Sequence, residues 1–119
     1  MSHPLQTRVT ELLGCDYPIL QTGMGWVAEP PLVAAACNAG AFGFLAAATI
    51  PPEDVEAAIG QIKQQTDRPF GVNFLMDAPG ADVISEAIIR QGVRAAGYNR
   101  APDAALIARL KDAGVVCVP

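Results

Sequence analysis

Short apolar runs alternate along this chain with longer stretches whose apolar residues return at the three-to-four spacing of a helix face. Thr7 to Leu13 reads as a short leading helix. Pro18 to Gln21 reads as a first strand. Ala41 to Ala47, Phe70 to Leu75, Val93 to Gly97 and Val115 to Val118 read as four more. Helical spacing fills the gaps between them. It covers Glu29 to Ala39, a stretch opening at Pro51 and Pro52, Ala81 to about Gln91, and a segment marked by Leu106, Ile107 and Leu110. Val55, Ile59 and Ile62 form one sheet-facing stripe, and Val83, Ile84, Ala87 and Ile88 another. Helical stretches close at Gly40, Gly92 and Gly114, each leading into a strand, because glycine accepts the left-handed conformation past a helix end. Strands alternating with helices predict an α/β fold, with about five parallel strands and four crossover helices.

Two architectures fit this pattern. A doubly wound open sheet is complete at five strands. A (β/α)8 TIM barrel runs to about 250 residues, so residues 1–119 would be its N-terminal half, truncated at strand 5. The last apolar run ends at Pro119 with no helix after it, and a parallel strand needs cover on both faces. The chain therefore reads as the first part of a larger α/β protein.

Composition narrows the partners. With 51% hydrophobic and 17% charged residues, the chain is globular rather than disordered. A net charge of −4 and no Lys/Arg-rich run argue against nucleic acid. Cys15, Cys37 and Cys117 are widely spaced and form no C-x-x-C pair, which fits reduced thiols in the cytoplasm. The one histidine, His3, lies near the terminus, so no metal site is expected. No signal-peptide pattern opens the chain, and glycine and proline interrupt every apolar stretch before it reaches membrane-spanning length.

Candidate chemistry gathers at the predicted C-terminal strand ends, where parallel α/β folds bind ligands. Gln21-Thr22-Gly23-Met24-Gly25-Trp26 follows the first strand. Gly23 and Gly25 would let a flat or phosphorylated ligand approach the backbone, or would only serve a tight turn. The segment is not a G-x-G-x-x-G fingerprint. Asn73 places a carboxamide in a buried strand, where lacking a partner costs about 1–3 kcal/mol. Either a ligand with both donor and acceptor, such as a flavin ring edge, or a neighbouring loop would satisfy it. Gly97-Tyr98-Asn99-Arg100 follows the fourth strand, and Arg100 would suit a phosphate or remain solvated. Met24 and Trp26 would line a pocket or pack the barrel mouth. Asp77 reads as a loop acid and Cys117 as a core thiol. No His, Cys or Lys stands at a strand end as a base or nucleophile, so no catalytic residue is assigned.

The runs Arg8 to Gly14, Tyr17 to Met24, Ala34 to Gly43 and Arg68 to Asn73 resemble the nitronate monooxygenase (2-nitropropane dioxygenase-like) family. Flavin-dependent enoyl-acyl-carrier-protein reductase II is similar over the same stretches. The resemblance implies an FMN-dependent TIM-barrel oxidoreductase. It assigns Gln21, Thr22, Gly23, Met24 and Asn73 to cofactor binding, and places the catalytic histidine and main phosphate loops beyond the fifth strand. It implies oxidation of alkyl nitronates by oxygen to carbonyl compounds and nitrite. The alternative is NAD(P)H-dependent reduction of enoyl thioesters or quinones. The 119-residue chain alone is expected to be inactive. Open edges at the first and fifth strands raise a further alternative, a non-catalytic half-barrel that self-associates as a homodimer.

Overall fold

A computed structural model describes residues 4–119, so His3 lies outside the described residues. The elements, in order, are α1 (Arg8–Leu13), β1 (Leu20–Gln21), α2 (Pro30–Asn38), β2 (Phe42–Ala46), α3 (Val55–Gln65), β3 (Gly71–Phe74), α4 (Ala81–Arg90), β4 (Ala95–Tyr98), α5 (Ala104–Asp112) and β5 (Val116–Val118). Two 3-10 turns, Ala47–Thr49 and Pro52–Asp54, link β2 to α3.

Local chemistry sets these boundaries. In α1 the Thr7 and Thr10 hydroxyls cap each other's backbone amides, at 3.3 and 2.8 Å. Pro30 and Pro31 occupy the first turn of α2, where missing amide donors cost little. Asp103 caps α5, its Oδ1 accepting from the amides of Ala105 and Leu106 at 2.9 and 3.1 Å. Gly40, Gly92 and Gly114 all have positive φ, as their place after helices predicts. Gly40 is the most constrained of the three, since a Cβ there would stand 2.8 Å from the Tyr17 ring.

All five strands are parallel, in the spatial order β1-β2-β3-β4-β5. That order decides between the two expected architectures. A doubly wound sheet reverses its strand order at a switch point. An unbroken sequential order with right-handed crossovers puts every crossover helix on one face. The core agrees: residues of α2, α3, α4 and α5 share one cluster with Leu45, Val72, Phe74, Ala96 and Tyr98 of the strands. The fold is therefore α/β of the TIM-barrel kind.

The alternate strand residues face the other way, towards what is the interior of a barrel. Phe42 and Phe44 of β2 and Ala95 of β4 form a second cluster there with Leu13 of α1. The Phe42 and Phe44 rings meet edge to face, with centroids 5.2 Å apart.

Three expectations need correction. Val83 is 46% exposed, and Ser85 is buried on α4 instead. At 100° per residue, the buried stripe runs through Ala81, Ile84, Ser85 and Ile88, which turns Val83 to the flank. Tyr98 is the last residue of β4 rather than part of the loop, and lies in the helix-side core. The first strand is only Leu20–Gln21, because it pairs with β2 over two positions.

Candidate functional site

The C-terminal ends of all five strands bring residues together. Register pairs Ala46 with Asn73 and Asn73 with Gly97. Asn73 therefore points to the barrel-interior face, between two small residues. Two glycines make room for it. A Cβ on Gly23 would stand 2.8 Å from the Asn73 Cβ, and one on Gly97 would stand 2.9 Å from its Nδ2. Contacts that short force something to move, so positions 23 and 97 must be small while Asn73 keeps this place. The Phe44 ring also lies over Gly97, 3.2 Å from where a Cβ would sit.

A cavity of about 340 Å³ opens at this end. Thr22, Asn73, Gly97 and Asn99 give it polar lining, Leu20, Phe44 and Val118 give it apolar walls, and Tyr98 borders it at the end of β4. Asn73 Nδ2 donates to Asn99 Oδ1 at a long 3.3 Å. The expected loop partner is thus present for one end of the carboxamide. Burial pushes the Tyr98 phenol above its usual range, so it stays protonated at neutral pH. The site can orient a ring with hydrogen-bonding edges between apolar walls.

A larger cavity, about 620 Å³, lies at the opposite ends of the strands, beside Arg68, Phe70, Val93, Arg94 and Val115. Barrel enzymes work at the C-terminal face, so size is the poorer guide here. Two of the three cations lining it are engaged: Arg68 forks onto Asp16 at 2.9 and 3.2 Å, and Lys63 Nζ donates to the Gln91 carbonyl at 2.5 Å.

The predicted site residues divide. Thr22 and Asn73 line the cavity, and Gly23 packs on Asn73. Met24 is 38% exposed outside that lining, and Trp26 is 79% exposed. The Gln21 side chain turns towards α2 instead. Its Nε2 donates to the Phe44 carbonyl at 3.0 Å and to the Thr22 carbonyl. Its Oε1 is buried without a partner, and it occupies the space a Cβ on Gly43 would need. Gln21 braces β1 against β2. Arg100 and Asp77 are exposed, and Cys117 packs half-buried against the helix-side core. Asn99 is the site residue that attention to Arg100 passed over. It lies two positions beyond Gly97, in phase with the inward face, and that spacing was the available signal.

Comparison with known proteins gives a consistent picture. The nitronate monooxygenase family model matches residues 6–118. The chain is 51% identical, over 97% of its length, to a (3aS,4S,5R,7aS)-5-hydroxy-7a-methyl-1-oxo-octahydro-1H-indene-4-carboxyl-CoA dehydrogenase of Mycobacterium tuberculosis, and covers 32% of that protein. It is 41% identical, over 61% of its length, to a nitronate monooxygenase of Pseudomonas aeruginosa, and covers 21% of it. The structure of FabK from Thermotoga maritima superimposes with a TM-score of 0.91 at 36% identity, over 96% of this chain and 37% of that one. The chain thus spans about a third of the length of the first two relatives that share its whole extent.

Proposed function

We infer that this chain, which belongs to the nitronate monooxygenase family of oxidoreductases, forms one side of an FMN site in an enzyme that oxidises a small-molecule substrate. The observation that carries this reading is Asn73, held between Gly23 and Gly97 with no room for a side chain at either position. A carboxamide offers both a donor and an acceptor, which suits the polar edge of an isoalloxazine ring. The two glycines make room for the carboxamide itself, and Leu20, Phe44 and Val118 keep water from the apolar part of the ring. When bound, FMN supplies the hydride and one-electron chemistry that these side chains lack. Thr22, Asn73 and Asn99 orient it. Three free thiols are in keeping with a reducing, cytoplasmic setting.

For the substrate, two readings have support. Oxidation of a CoA thioester of an alicyclic acid is favoured by the relative that is 51% identical across 97% of the chain. Oxidation of an alkyl nitronate to a carbonyl compound and nitrite is favoured by the family match and by the Pseudomonas aeruginosa relative. NAD(P)H as the electron donor of a reductase is the weaker alternative, supported by the likeness to FabK.

The test is titration of the purified protein with FMN, read by visible absorbance and flavin fluorescence. A stoichiometric complex weakened by Asn73→Ala and by Gly23→Val is expected. Full-strength binding by both variants would overturn the site. Anaerobic addition of cyclohexanecarboxyl-CoA or of propyl-2-nitronate then separates the substrate readings, since only the true class binds beside the ring and shifts the flavin spectrum.

A further inference from the structure

We propose that Trp26, flanked by Met24 and Val27, is a platform for the acyl group of a CoA thioester substrate at the mouth of the site; this rests on the thioester reading above. Trp26 is the only tryptophan in the chain, and it is 79% exposed. Met24 and Val27 beside it are 38% and 58% exposed. An indole held in water leaves a large apolar surface available for burial.

The loop holds Trp26 in this position against its own preference. Its φ is +60°, in the left-handed region that a bulky residue rarely adopts. Three contacts fix it there. The Trp26 amide donates to Thr49 Oγ1 at 3.2 Å. Gly25 sits on the Thr49 methyl, with 3.0 Å to where a Cβ would be. The amides of Val27 and Ala28 both return to the Met24 carbonyl, at 3.0 and 2.8 Å. Ala28 is itself buried, and its carbonyl accepts from the Ala46 amide at the end of β2. Backbone strain maintained by its surroundings is a mark of functional loops.

Position and chemistry choose the occupant. The loop leaves the cavity at Thr22 and passes Asn73 at Gly23 before reaching Trp26. Thr22, Asn73, Gly97 and Asn99 line the cavity, and the exposed Met24, Trp26 and Val27 follow within five residues of Thr22 on the same loop. A fused alicyclic acyl group has a broad apolar face to lay on an indole. A short alkyl nitronate has almost none.

The experiment is calorimetric titration of the FMN-loaded protein with cyclohexanecarboxyl-CoA and with acetyl-CoA, in the wild type, Trp26→Ala and Trp26→Phe. Trp26→Ala is expected to weaken cyclohexanecarboxyl-CoA by roughly tenfold and acetyl-CoA by less than about twofold, with Trp26→Phe recovering most of the loss. A blue shift of Trp26 emission with cyclohexanecarboxyl-CoA but not with acetyl-CoA is the matching result in unsubstituted protein. If both esters bind and neither the variants nor the emission respond, the platform is wrong and the thioester reading stands. If FMN binds and neither ester does, the thioester reading falls, and the platform with it.

Discussion

Asn73 shows how much one side chain can demand of its neighbours. Its place is secured by what positions 23 and 97 lack. Gly23→Ala would push a methyl to 2.8 Å from the Asn73 Cβ, an atom that moves only with its backbone. We expect weaker FMN binding from this change together with a lower Tm, because a Cβ 2.8 Å away yields only if the backbone of the loop or of β3 shifts. FMN titration beside a thermal melt checks both halves. Strand-end position brought Asn73 and the segment Gln21 to Trp26 into view from sequence, and the structure places Asn73 and Thr22 on one cavity. The role of Gln21 was not legible, because adjacent residues of a strand face opposite sides and β1 is too short to show its phase. Trp26 was visible as a candidate, but its strained backbone and its hold on Thr49 depend on a loop that periodicity does not describe.

At the level of elements, α3 and α4 carry two predictions. Gly60 lies inside α3, and a Cβ there meets nothing within 4 Å. Gly60→Ala should therefore stabilise the protein by about 0.5–1 kcal/mol, measured by chemical denaturation. The second concerns the link between the two helices. Arg90 forks onto Glu56 at 2.6 and 2.9 Å, and Gln91 adds a bond of 2.6 Å. The Arg90 guanidinium and then the Gln91 amide hold the Glu56 carboxyl down from its ordinary 4.5 to about 2. A carboxyl depressed in the fold stabilises above its unfolded pKa and loses that contribution as pH falls through its folded one. Stability should fall between about pH 4.5 and 2, and Glu56→Gln should flatten that part of the profile. Because the pair is exposed, the effect is modest and shrinks with added salt. Helices were the most legible elements, since their stripes, prolines and closing glycines agree. Val83 was misread because an apolar residue beside a stripe looks like part of it, and only the packing of α4 separates the two.

For the whole molecule, the alternation of strands and helices gave the class, while strand order gave the architecture. Order is invisible to periodicity, because a doubly wound sheet and a barrel share the same local beat. It becomes visible only when Leu20 pairs with Phe42, Phe44 with Gly71, Gly71 with Ala95 and Ala95 with Val116. The sheet so formed has edges at β1 and β5, with Ile19 and Leu20 61% and 39% exposed beside the first. Open edges invite pairing with a second copy. The isolated 119-residue chain is expected to sediment as a dimer, and a monomer at high concentration would exclude that association. The sequential order also bears on how the chain acquires its shape. Each new strand docks on the one made just before it, and each helix covers a neighbour already in place. Within these five strands no pairing waits on a distant segment. That order lets these strands pair in the direction of synthesis, each new one finding its neighbour already made.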